Sequence, residues 1–194
     1  MLDINLEEAK KILKGQFEFM ADSINEIVID LNLKKDAKIL DIGTGNGKMA
    51  IILALNGFRV ITGEPEEDNS EYAKKDWNTD AKKVNVDHLI TFKPFNADNL
   101  PFKDKSFDGI FMFGSFHHID NKKASIEECL RTIKPNGVIF IIEPNNDIIN
   151  LIQKRIPTHP NGADPRDFME NLQINVEVKK NSEVDAYILK IPTN

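Results

Sequence analysis

The clearest chemistry in this chain lies in Lys38-Ile39-Leu40-Asp41-Ile42-Gly43-Thr44-Gly45-Asn46-Gly47-Lys48-Met49-Ala50. Ile39 to Ile42 reads as a short buried strand carrying one acid, Asp41. Three glycines then alternate with single residues, and an apolar run from Met49 to Leu55 has helical character. Glycine lets a backbone turn sharply and meet a ligand without a Cβ in the way. A loop between a strand and a helix start presents unpaired backbone N–H groups, which suits a nucleotide-like ligand. The spacing is not that of a dinucleotide site. That pattern, G-x-G-x-x-G, needs glycine at its sixth position, and counting from Gly43 that position is Lys48. A second acid, Glu64, stands 17 residues beyond Gly47 (64 minus 47) at the tip of the next predicted strand. An acid placed there can accept hydrogen bonds from both hydroxyls of a ribose. A third group, His117-His118, follows a strongly apolar strand. Histidine titrates near neutrality and can serve as a general base.

Three further blocks stand in a fixed order behind these. They are Asn96-Ala97-Asp98-Asn99-Leu100-Pro101-Phe102, Gly114-Ser115-Phe116-His117-His118-Ile119, and Leu130-Arg131-Thr132-Ile133-Lys134-Pro135-Asn136-Gly137. With the D-x-G-x-G-x-G loop and Gly63-Glu64-Pro65, they resemble the class I S-adenosylmethionine (SAM)-dependent methyltransferases of the small, single-domain, type 11-like group. The resemblance covers about residues 36 to 144. It implies a cofactor-binding set of Asp41, Gly43, Thr44, Gly45, Asn46, Gly47, Glu64, Pro65, Asn96, Ala97, Phe113 and Gly114. The methionine end of SAM would sit by Asp41 to Gly47, its ribose on Glu64 and its adenine near Asn96 and Ala97. The product would be S-adenosylhomocysteine. Asn96 departs from the family's usual Asp, keeping an acceptor oxygen but losing the charge; Asp98 is the rival candidate if the loop register shifts. Asn136 replaces the first glycine of a family turn, and Asn tolerates left-handed backbone better than most residues. His117 and His118 are the candidate catalytic residues. Cytosine C5 methylation would need a nucleophilic cysteine, and Cys129 falls inside a predicted helix instead. The N/D-P-P-Y/F motif of amino-methylating nucleic-acid enzymes is absent. The acids of metal-dependent catechol-type enzymes are mismatched here, so no metal site is expected.

Elements that position these groups can be read from periodicity. Leu6 to Leu33 predicts helix broken near Gly15, with Phe17, Met20, Ile24, Ile27, Val28 and Leu31 as one apolar stripe. Strands are expected at Lys38–Ile42, Phe58–Thr62, Leu89–Phe92, Phe107–Phe113 and Gly137–Ile142. Helices are expected near Asn46–Asn56, Glu66–Trp77, Lys122–Ile133, Asp147–Arg155 and, briefly, Pro165–Leu172. Continuously apolar strands separated by helices indicate a parallel sheet covered on both faces. Ile174–Lys179 and Val184–Ile191 predict a terminal antiparallel hairpin. The expected fold is therefore α/β, a Rossmann-like seven-stranded, mostly parallel sheet with a C-terminal antiparallel hairpin. One domain, 1–194, is expected: an N-terminal helical lid (1–35), a cofactor-binding core (36–144), and a helix with the terminal hairpin (145–194).

Composition narrows the partners. The 194 residues include 41% apolar and 29% charged residues, with a formal charge of −6 that argues against a nucleic-acid surface. No apolar run reaches the length of a membrane span, and no signal-peptide pattern opens the chain. The single cysteine suits a cytoplasmic setting. The expected activity is methyl transfer from SAM to an O, N, S or C nucleophile of a small molecule. The alternative is a SAM-binding regulatory or partner subunit without catalysis. A nicotinamide dehydrogenase is disfavoured by Lys48. The acceptor and the oligomeric state are not written in the sequence.

Overall fold

The computed structural model describes residues 4–67, 76–170, 172 and 174–191. The chain packs as two compact units, residues 1–95 and 96–194, taken here in turn.

The first unit opens with α1 (Leu6–Leu13), started by a reciprocal capping box. The Asn5 side chain accepts from the Glu8 N–H, and the Glu8 carboxylate accepts from the Asn5 N–H. The break expected near Gly15 falls on Lys14, whose φ of 53° is not helical, and α2 (Gly15–Asp30) begins at once. Of the predicted stripe, Phe17, Ile24 and Val28 are buried, joined by Ala21; Met20, Ile27 and Leu31 are half-buried. Then follow β1 (Lys38–Ile42), α3 (Lys48–Leu55), β2 (Arg59–Gly63), α4 (Trp77–Lys83) and β3 (Ile90–Phe92). Strands β1, β2 and β3 pair in parallel, with Asp41 opposite Thr62 and Ile42 opposite Gly63. Helix α3 is buried from Met49 through Ala54, as a helix apolar all round must be. Gly57 ends it with φ of 85°. Its N–H bonds the Ala54 carbonyl and the Phe58 N–H bonds the Leu53 carbonyl, a Schellman motif. The helix expected at Glu66–Trp77 lies mostly on residues 68–75, outside the described residues; Glu66 and Glu67 form a turn, and α4 starts only at Trp77.

The second unit holds β4 (Phe107–Phe113), α5 (Lys122–Thr132), β5 (Ile133–Pro144), α6 (Asn146–Gln153), β6 (Val176–Lys180) and β7 (Val184–Lys190). Strand β4 pairs in parallel with β5, while β5–β7 and β7–β6 are antiparallel. Strand β5 starts earlier than expected, at Ile133, and passes through an irregularity opposite Phe107–Gly109. Asn136 there adopts φ of 62°, the left-handed conformation anticipated for it. A Cβ on Gly137 would stand 2.6 Å from Ile133 Cγ1 and 2.9 Å from the Lys134 carbonyl oxygen, so only glycine fits. Residues 165–168 make a single 3-10 turn rather than a longer helix. The strand order is β3-β2-β1-β4-β5-β7-β6, the seven-stranded, mostly parallel sheet with an antiparallel end that the sequence predicts.

Candidate functional site

In the first unit, the glycine loop and the two acids meet. Asp41 is the penultimate residue of β1 and its carboxylate is buried. Oδ2 accepts from the Thr62 hydroxyl at 2.8 Å, and the Thr62 and Thr44 hydroxyls are 2.9 Å apart. Because Thr62 spends its proton on Asp41, Thr44 donates to Thr62. Asp41 Oδ1 is buried and has no hydrogen-bond partner among the described residues; the same holds for Asn46 Oδ1. Burial raises the Asp41 carboxyl to about 7; the Thr62 bond opposes this and the nearby Glu64 charge reinforces it. The loop itself is closed by the Gly47 N–H on the Thr44 carbonyl at 2.7 Å, and the Gly43 N–H holds the Gly63 carbonyl at 2.8 Å. Gly45 has φ of 46°, and among the described residues beyond its chain neighbours a Cβ built on it would meet nothing within 4 Å. The open space is where a ligand can approach the backbone. Glu64 accepts from the Gly45 N–H at 3.2 Å, which ties the strand tip to the loop. Gly63 is confined: a Cβ there would lie 1.9 Å from the Lys93 carbonyl oxygen and 2.5 Å from the Phe95 ring.

A cavity of about 390 Å³ adjoins this loop. It is lined by Asn46 and Lys48, by the α1–α2 junction from Leu13 to Phe17, and by Asp76, Trp77 and Asp80 at the start of α4. Its volume is within the usual range of small-molecule sites. The Lys48 ammonium, at the position where a dinucleotide fold has glycine, reaches the Gln16 side chain across it. Pro65 is exposed beside Glu64.

The second unit carries the remaining predicted residues. Asn96 is exposed and Ala97 half-buried, in a turn closed by the Asn99 N–H on the Asn96 carbonyl at 3.1 Å. The following loop is clasped by Arg131, which donates to the Leu100 and Phe102 carbonyls and to Glu128, while Glu128 accepts the Leu100 N–H. Phe113 and Gly114 end β4, and the Gly114 N–H bonds the Ile142 carbonyl at 2.8 Å. His117 and His118 form a 3-10 turn, Phe116–His118, directly beyond.

One acid organises that turn. Glu143 ends β5 with 1% of its surface exposed. It accepts the Phe116 N–H at 2.9 Å, the His117 N–H at 3.1 Å and His117 Nδ1 at 2.5 Å. A carboxylate only accepts, so Nδ1 carries a proton and Nε2 of the neutral ring is the acceptor. That Nε2 is buried with no partner among the described residues. His118 is exposed at the same turn. A third histidine, His159, packs its ring 5.1 Å from both by centroid. Its Nδ1 lies 3.0 Å from the Pro160 carbonyl oxygen, and burial holds it below the ordinary histidine range. Neither Glu143 nor His159 stands out as a functional residue in the sequence reading. Glu143 leaves one signal, an acid directly after the apolar run Val138–Ile142. His159 leaves none, because it is 42 positions beyond His117 (159 minus 117) in a loop.

Comparison with known proteins agrees with this architecture. A family model described as "Methyltransferase domain" matches residues 40–141, more than half of the chain. O-methyltransferase rstn1 of Aspergillus nomiae is 28% identical over 149 residues, covering 72% of this chain and 64% of that protein. The 27-O-demethylrifamycin SV methyltransferase of Amycolatopsis mediterranei is 34% identical over 120 residues, 59% of this chain and 43% of that protein. The chain thus spans less than two thirds of the length of these relatives. Among solved structures, one from Methanococcus maripaludis, assigned as a SAM-dependent methyltransferase, has a TM-score of 0.73. It is 19% identical, with 98% of this chain and 94% of that one covered. The [4+2]-cyclase SpnF has a TM-score of 0.67 at 17% identity, covering 89% and 82%; likeness at this level speaks to the fold alone. The strand–glycine loop–helix unit, the strand order and the match over residues 40–141 together make this chain a member of the methyltransferase-domain family.

Proposed function

We propose that the chain binds SAM and transfers its methyl group to an O, N, S or C nucleophile of a small molecule. The observation that carries the reading is the pair of buried acceptors at the glycine loop, Asp41 Oδ1 and Asn46 Oδ1, that have no partner among the described residues. A buried acceptor left unpaired costs about 1–3 kcal/mol, and an amino-acid ammonium is the donor that would relieve it. Gly45, with no atom within 4 Å of a built Cβ, leaves the backbone open to the same ligand. Glu64 is the acceptor for the ribose hydroxyls, and Asn96, Ala97, Phe113 and Gly114 are assigned to the adenine end. When bound, SAM supplies a methyl group on a sulfonium, an intrinsically good leaving group. The residues of this chain then have three tasks. Asp41 and the loop orient the cofactor. The α1–α2 junction, at the wall of the cavity, excludes water. His117 Nε2, kept an acceptor by Glu143, takes the proton from the nucleophile. Positioning supplies most of the acceleration, since well-oriented reactions gain on the order of 7–11 kcal/mol.

Residues 36–144 are assigned as the cofactor-binding core, and residues 1–35 as its lid. No described helix is long and apolar enough to cross a membrane; separately, the single cysteine supports a cytoplasmic setting. A second reading is favoured by Asn96, which lacks the charge of the family's usual Asp: a subunit that binds SAM without turnover. Calorimetric titration with SAM and S-adenosylhomocysteine tests the first step. Micromolar or tighter binding supports the site, and no binding by folded protein overturns it. Release of S-adenosylhomocysteine with a panel of small phenols, quinols and amines then separates the enzyme from the binding subunit.

A further inference from the structure

The geometry points to a divalent transition-metal site made by His117, His118 and His159, fitted to zinc. The sequence reading expects no metal site, since the acids of metal-dependent catechol-type enzymes are mismatched; two of the three histidines are adjacent in the chain and the third lies in a distant loop. In the folded second unit, one ring nitrogen from each histidine lies within 4.8 Å of the other two. Three points so spaced lie within about 2.8 Å of a common centre, so ring movements of roughly 0.7 Å bring them to the usual Zn–N length of about 2.0–2.1 Å.

Three observations favour a ligand cluster over a chance grouping. Glu143 holds His117 through Nδ1, and the Pro160 carbonyl holds His159 through Nδ1. Metal-binding histidines are characteristically oriented by such a carboxylate or carbonyl on the other ring nitrogen. Both bonds leave Nε2 as the lone-pair atom, and His117 Nε2 is buried with no partner among the described residues. His118 is exposed at the same corner, which gives an ion a path from solvent. Imidazole donors select zinc, copper, nickel or cobalt over magnesium and calcium. Three histidines leave a fourth tetrahedral position open, as in catalytic rather than structural zinc sites. That position would take water or an oxygen of the acceptor. On loading, His117 Nε2 is a ligand and no longer a base, so metal content and proton transfer at this atom exclude one another.

The inference does not depend on methyl transfer, because the ion is read directly. The chelator-stripped chain is titrated with Zn²⁺ by calorimetry and with Co²⁺ by visible absorption, in the absence of SAM. The expected result is one equivalent of Zn²⁺ at micromolar affinity or tighter and the intense d–d bands of tetrahedral Co²⁺. His118→Ala and His159→Ala should each weaken binding at least tenfold, and Glu143→Gln by about 10–100-fold. His88→Ala removes the one histidine outside the cluster and should change nothing. Circular dichroism confirms that each variant is folded. His118, being exposed, keeps the test informative if the buried variants fail to fold. Undiminished binding by folded His118→Ala and His159→Ala, loss of binding in His88→Ala, or only octahedral Co²⁺ would overturn the site.

Discussion

Asp41 offers a prediction whose size follows from the structure. Its carboxyl is buried, accepts one hydrogen bond and is raised from 3.8 to about 7. The folded state therefore holds the proton more tightly than the unfolded chain does. Between about pH 4 and 7 the unfolded carboxyl is ionised while the folded one is not, so stability from this group falls as pH rises. It is present in full below the unfolded value and lost as pH passes through the folded value. A shift of about 3 units at 1.36 kcal/mol each corresponds to about 4 kcal/mol. Asp41→Asn keeps an oxygen to accept from Thr62 and cannot ionise. The stability of the variant minus that of the parent should therefore climb by about 1.4 kcal/mol per pH unit over this window. Above pH 7 it should level off near 4 kcal/mol in favour of the variant. Urea unfolding of both proteins across about pH 4 to 8 measures this difference, and taking the difference removes the titrating groups that Asp41 does not interact with, Glu64 being the coupled neighbour. Saturating SAM should narrow the gap at high pH, because an ammonium beside Asp41 stabilises the ionised form. A difference profile flat with pH would refute the assignment of the buried, titrating carboxylate to Asp41.

Other outcomes can be stated briefly. Gly63→Ala would force a Cβ to 1.9 Å from the Lys93 carbonyl oxygen and into the Phe95 ring; destabilisation of more than about 4 kcal/mol is expected in thermal melts. Glu64→Ala removes a charged acceptor, each of whose hydrogen bonds is worth about 1.5–3 kcal/mol, so calorimetry should show SAM weakened roughly 10- to 100-fold with the melting temperature little changed. Gly45→Val places a β-branched residue at a φ of 46°, which costs stability, and fills the approach to the loop; it should bind no SAM while circular dichroism shows the protein still folded. Arg131→Ala releases the Leu100 and Phe102 carbonyls; hydrogen exchange at residues 100–104 should accelerate while β5 stays protected.

Much of the first unit was legible because its signals are local. The acid and three glycines sit in one strand-to-helix connection, and an apolar run bounded by them can only be a strand entering a turn. The Asn56–Phe58 stop, the break at Lys14–Gly15 and the left-handed Asn136 follow from residue types whose backbone preferences act within a few positions. Helix α4 was missed, since Trp77–Lys83 carries only one buried residue, Ala81, and so shows little apolar periodicity. The early start of β5 was missed because Lys134-Pro135-Asn136 reads as a turn although the strand runs through it.

The sequence by itself determined the order of strands and helices, the glycine loop and the acid that pairs with it, because backbone sterics and apolar periodicity act along the chain. Tertiary structure alone decided which polar atoms meet. Thr62 satisfies one oxygen of Asp41 and leaves the other unpaired only because β1 and β2 align those residues. Glu143 reaches His117 across 26 positions, and Arg131 clasps a loop about 30 residues earlier in the chain. His159 joins the two adjacent histidines from a loop with no pattern of its own. Partners of this kind are brought together by strand register and loop closure, which no spacing in the chain encodes.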